Sequence, residues 1–143
     1  MAITSAICNS FKQEILEAEH NFTASTGDTF NLALYDSDAT LSKSTTAYTT
    51  SEELATTGGY TAKGKALTSV TPVLDSDTAV CDFANTSWTS ASFTARGCLI
   101  FNDDNSDTSV CAIDFGGDKT VTSGTFTIEF PAAAASTAII QIA

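Results

Sequence analysis

The chain has 143 residues, six Lys and Arg against seventeen Asp and Glu, a formal net charge of −11 and a single histidine, His20. Phosphate binding needs clustered cations, so this balance argues against a nucleic-acid binder and equally against attachment to anionic membranes. The length predicts one domain, 1–143, large enough to bury a core without staples, and nine Phe, three Tyr and Trp88 are enough to anchor that core.

Met1 to Ser5 has no basic start and no long apolar run, so no secretory signal is expected there. Residues 4–20 read as an amphipathic helix. Ile7, Phe11 and Ile15 recur at four-residue spacing, Cys8, Ala18 and Phe22 extend the same face, and Lys12, Gln13, Glu14, Glu17 and Glu19 fill the other. Acids crowd its C-terminal end, where the helix dipole disfavours them by about 0.3–1 kcal/mol each. Such a helix needs docking to persist. Ile7, Phe11 and Ile15 are therefore the candidate partner interface, with docking on the chain's own sheet as the equal alternative.

The period then changes to two. Phe30, Leu32 and Leu34 alternate with Asn31, Ala33 and Tyr35, which predicts a strand with one buried face. Asp36-Ser37-Asp38 reads as a turn. Residues 39–57 are Ser- and Thr-rich, with Tyr48 and Leu54 as their large apolar anchors. Tyr60 to Lys65 is a short strand or loop after Gly58-Gly59, and Leu67 to Leu74 predicts a strand bent at Pro72, closed by an Asp75-Ser76-Asp77 turn. Ala79–Phe83 and Thr86–Phe93 are further strands. The clearest hairpin pairs Phe93–Phe101 with Ser109–Phe115 across 102–107; a symmetric loop would set Cys98 opposite Cys111. Gly116-Gly117-Asp118 is expected to turn the chain again, before a half-buried strand through Phe126, Ile128 and Phe130 and a last one at 138–142. The closest approach to a membrane span, Pro131 to Ala143, falls short of the ~20 apolar residues required. Short strands with regular turn signals and abundant Thr predict a mainly β fold, a β-sandwich or distorted barrel with one N-terminal helix.

Chemistry-bearing motifs are sparse. Gly59 to Lys65 has the GxxxxGK frame of a phosphate loop, but Ala66 cannot ligate magnesium and no strand–loop–helix context surrounds it, so a Gly-rich turn with solvated lysines is expected. Asp103, Asn105, Asp107 and Asp114 carry part of a calcium-loop spacing, without the central glycine; a polar hairpin tip is the expected reading, with surface calcium there or at Asp75/Asp77 left open. His20 belongs to no catalytic motif, and no spacing singles out a pair of carboxylates for glycoside hydrolysis. Arg96 is expected to pair with an acid on a neighbouring strand, and Trp88 to anchor the core. None of Cys8, Cys81, Cys98 and Cys111 makes a Cys-x-x-Cys pair, so zinc is not expected and reduced, buried thiols are. The reading has no catalytic residue, metal or cofactor.

Five stretches carry a resemblance: FKQEILEAEHNFTASTGDTFNLALY (11–35), TTGGYTAKGKALTSVTP (56–72), DFANTSWTSASFTARGCLIFN (82–102), DFGGDKTVTSGTFTIEFP (114–131) and AIIQIA (138–143). Together they resemble a family of small virion structural proteins of tailed phages and prophages, mostly of unassigned role. The resemblance implies a multi-copy component of a particle assembled in the bacterial cytoplasm. Its expected partners are the major capsid protein, copies of itself, or both. Within that frame the expected role is a capsid decoration, or cement, protein. A tail, connector or fibre-base component and a virion carbohydrate-binding module are the alternatives.

Overall fold

The computed structural model describes residues 2–143. Strand β1 (Ala6–Ile7) leads into helix α1 (Asn9–Leu16), followed by β2 (Phe30–Tyr35), β3 (Lys65–Ala66), β4 (Ser69–Asp75), β5 (Thr78–Phe83), β6 (Thr86–Asn102), β7 (Thr108–Ile128) and β8 (Ile140–Ile142). They form two antiparallel sheets, five strands in the order β1-β7-β6-β2-β3 and three in the order β4-β5-β8. The fold is mainly β, as the alternation predicts, and the two sheets do not close into a barrel.

The helix is shorter than the apolar spacing suggests, because both ends of the predicted 4–20 segment have other hydrogen-bond partners. Thr4 N–H donates to Leu41 C=O, and Ala6 and Ile7 pair with Ala112 and Cys111 at the sheet edge. At the other end Ala18 turns left-handed (φ 61°), Glu19 N–H donates to Glu14 C=O at 2.9 Å and Ala18 N–H to Ile15 C=O at 3.3 Å. That is a Schellman closure.

β2 is buried on both faces rather than one. Phe30, Leu32 and Leu34 enter the main core with Phe11, Phe22 and Phe83, where Phe22 stacks on Phe30 at 4.2 Å and Phe30 lies 5.9 Å from Phe83 of the smaller sheet. Ala33 and Tyr35 enter a second cluster with Leu99 and Phe101, roofed by Ile3, Ala39 and Leu41. The Ser/Thr-rich stretch after β2 thus works as a cover, and Tyr48 stacks on Phe101 at 4.8 Å.

The predicted strands 86–93 and 93–101 are one strand, β6, and the predicted turn at Gly116-Gly117-Asp118 is absorbed in the single strand β7. The register shifts there, between Ala95 and Gly97, so the extra residues become a bulge. Arg96 clamps it, with Nε donating to Asp114 Oδ1 at 2.9 Å and Nη1 lying 3.9 Å from Asp118. The hairpin closes with Asn102 opposite Thr108, one residue from the symmetric pairing, and a shift between Ile100 and Phe101 adds another, so the thiols do not meet. Cys98 stands opposite Ile113, and Cys111 opposite Ile100.

Candidate functional site

The sequence places Ile7, Phe11 and Ile15 on one helical face, but the structure distributes them. Ile7 belongs to β1 and is half-buried. Phe11 is 3% exposed, with its ring 4.9 Å from His20 and edge-on to Phe22 at 5.9 Å. Ile15 is half-buried against the same core. The stripe faces the chain's own core, and Phe11 offers no surface to a partner. The side of α1 left outside carries Lys12, Gln13, Leu16 and Glu17.

His20 is buried in a closed polar array. Asp104 N–H donates to Asn102 Oδ1 at 3.1 Å, which orients the amide so that Nδ2 donates to Asp28 Oδ2 at 2.8 Å and to His20 Nδ1 at 3.0 Å. Nδ1 is therefore the acceptor, and Nε2–H donates to Glu14 Oε2 at 2.7 Å. Both ring nitrogens are engaged, and Phe11, Phe22 and Phe30 surround the ring. The array ties α1 to the tip of the β6–β7 hairpin. A second array centres on Glu53, which accepts from Tyr48 Oη (2.6 Å), Tyr60 Oη (2.7 Å) and Lys63 N–H (2.6 Å). Burial first, then the Glu53 hydrogen bond, pushes the Tyr48 phenol up to about 12.

The residues of the calcium-loop spacing are committed elsewhere. Lys63 Nζ lies 2.6 Å from Asp103 and 3.0 Å from Asp107, so an ammonium sits between these two carboxylates. Asn105 holds Glu19, and Asp114 holds Arg96, whose guanidinium keeps that carboxyl below its usual range. Asp36, Asp38 and Glu52 bring one oxygen each within 4.8 Å of one another at the surface. Asp36 Oδ1 already accepts Asp38 N–H at 2.9 Å. Glu52 joins that group through the loop following β2, a proximity with no spacing signal.

The GxxxxGK glycines have a packing reason. A Cβ on Gly64 (φ 69°) would sit 1.8 Å from Leu32 C=O, and one on Gly59 (φ 85°) 3.1 Å from Ser90 C=O. Lys65 directs its amine to Ser87 C=O, 5.1 Å from the centre of the Trp88 ring. Trp88 itself is 5% exposed, so it anchors the core and has no free face for a sugar. All four thiols are free and buried. Burial, with Cys8 and Cys81 nearby, pushes Cys111 up to about 12, the environment of an unreactive thiol.

What the surface offers instead is apolar. Along β7 and the chain after it runs an open groove of about 650 Å³, lined by Phe115, Val121, Phe126, Ile128 and Phe130. The smaller sheet and the end of α1 carry the exposed large aliphatics: Leu16 (87%), Leu74 (74%), Ile142 (56%), Val73 (52%) and Val70 (40%). No family model matches this chain, and no curated protein or solved structure does. No helix among the described residues is long and apolar enough to cross a membrane. Sequence reading missed the aliphatic surface, although two signals pointed to it. Leu16 lies off the Phe11/Ile15 stripe, and adjacent Val73 and Leu74 cannot share one face of a strand.

Proposed function

We propose that the chain is a structural protein of a tailed-phage particle, a decoration protein that seats on the shell of major capsid subunits and cements it. The observation that carries this reading is the aliphatic surface of the smaller sheet. Leu74 and Ile142 share one face of that sheet and Val70 and Val73 the other, on an otherwise acidic, Thr-rich β-protein. A protein that leaves such side chains in water gains by covering them, at about 25 cal/mol for each Å² removed. The stretches that resemble phage structural proteins run along most of the chain and agree with this role.

A decoration protein acts by linkage. It binds the assembled shell and not the separated subunits, so the assembled state is stabilised by the binding free energy of every occupied site. Particles carrying the chain are therefore expected to rupture at a higher temperature than particles made without it, and added purified chain restores the difference. Equal rupture temperatures, with no uptake of added chain, contradict the role.

A further inference from the structure

We propose that the face formed by β4, β5, β8 and the end of α1 is the docking surface, and that its partner is a cationic protein surface presenting aliphatic side chains. Cross-strand register puts Leu74, Ala79 and Ile142 in one row on one face of the smaller sheet. Next to that row, Ile15, Pro72, Cys81 and Ile142 line a small apolar cavity of about 90 Å³ at the seam between helix and sheet. The face thus offers protruding aliphatics and a recess that accepts one.

Charge decides the kind of occupant. No Lys, Arg or His occurs in 66–95 or in 120–143, the segments that build the smaller sheet, whereas Asp75 and Asp77 stand at its β4–β5 turn. On the helix side Glu17 follows Leu16, and Lys12 is the one cation of α1. Two such faces repel each other, as do two chains of net charge −11. A partner bearing Lys or Arg around aliphatic side chains matches both the apolar row and its acidic rim.

The mode of contact also follows. β4 is an edge strand, but Pro72 removes a backbone donor and the register shifts between Val70 and Val73. Both features oppose the addition of a further strand. The partner meets the side-chain face, not the β4 edge. That this partner is a phage shell rests on the decoration role proposed above; the face and its chemistry do not, so the two fail separately.

The test uses the free protein and two synthetic octapeptides, one alternating lysine and leucine, the other lysine and serine with the same charge. The lysine–leucine peptide is expected to bind at least about tenfold more tightly, to weaken with salt, and to shift the amide resonances of α1, β4 and β8. Leu74→Ser with Ile142→Ser, which leaves the charge unchanged and alters two exposed positions, should cost about tenfold in affinity with thermal unfolding unchanged. Val121→Ser, in the β7 groove, should cost nothing. Equal binding of both peptides, loss of binding in the groove variant alone, or no binding overturns the proposal. So does a concentration-dependent dimer abolished by the double variant, which makes a second copy the occupant.

Discussion

Ala18 closes α1 in the left-handed region, at φ 61°, where an L-residue with a Cβ costs about 1–2 kcal/mol and glycine does not. Ala18→Gly is therefore expected to stabilise the protein by about 0.5–1 kcal/mol, read as a higher midpoint in urea; a lower midpoint contradicts the cap. Asp82 is the residue whose charge costs most visibly. It is buried, with Phe83 N–H donating to Oδ1 at 2.8 Å and Ile139 N–H close enough to offset part of the burial cost. Burial raises its carboxyl above the usual range, so the folded protein binds that proton more tightly than the unfolded chain. The penalty is then absent below the ordinary carboxylate value and complete above the raised one. Asp82→Asn should unfold higher than the parent at pH 7, by about 1 kcal/mol or some 3 °C. The gap should close as pH falls through the carboxylate range. A gap that persists unchanged in acid removes charge as the cause. Neither feature was legible in the sequence. A left-handed cap on alanine breaks the propensity rule that would reveal it, and Asp82 reads as one polar position inside the strand Ala79–Phe83.

The elements were legible where their periodicity is local. Phe30 to Tyr35 and the hairpin either side of 102–107 announce themselves by alternation, and Pro72 marks its bend. The failures share a cause, which is long-range pairing. Ala6 and Ile7 have helical spacing but pair with Ala112 and Cys111. Gly116-Gly117-Asp118 has turn composition, but Arg96 on the opposite strand holds it as a bulge. The predicted meeting of Cys98 and Cys111 failed for the same reason, since the pairing there runs two residues out of the symmetric register. The candidate interface on Ile7, Phe11 and Ile15 was read from a real apolar stripe, and its direction was the undetermined part. Because Phe11 packs between His20 and Phe22, Phe11→Ala should cost about 3–4 kcal/mol in urea unfolding. A cost below about 1 kcal/mol means that the helix is not part of the core.

At the scale of the molecule, the composition conveyed the sign of the surface but not its layout. Seventeen acids against six Lys and Arg are visible at once. That several cations are internally engaged, Lys63 by Asp103 and Asp107 and Arg96 by Asp114, emerges only in the fold. The same holds for the row of Leu74 and Ile142, which come from distant parts of the chain and flank Ala79 because β4 and the last strand both pair with β5. A face assembled in this way is what a decoration protein needs, a patch on a stable β-scaffold. The most direct measurement is cryo-electron microscopy of purified phage particles, counting and locating this chain. The account predicts many copies arranged with icosahedral symmetry on the outer shell, each seated through the β4-β5-β8 face. A few copies at one vertex or along the tail, or none in the particle, would contradict it.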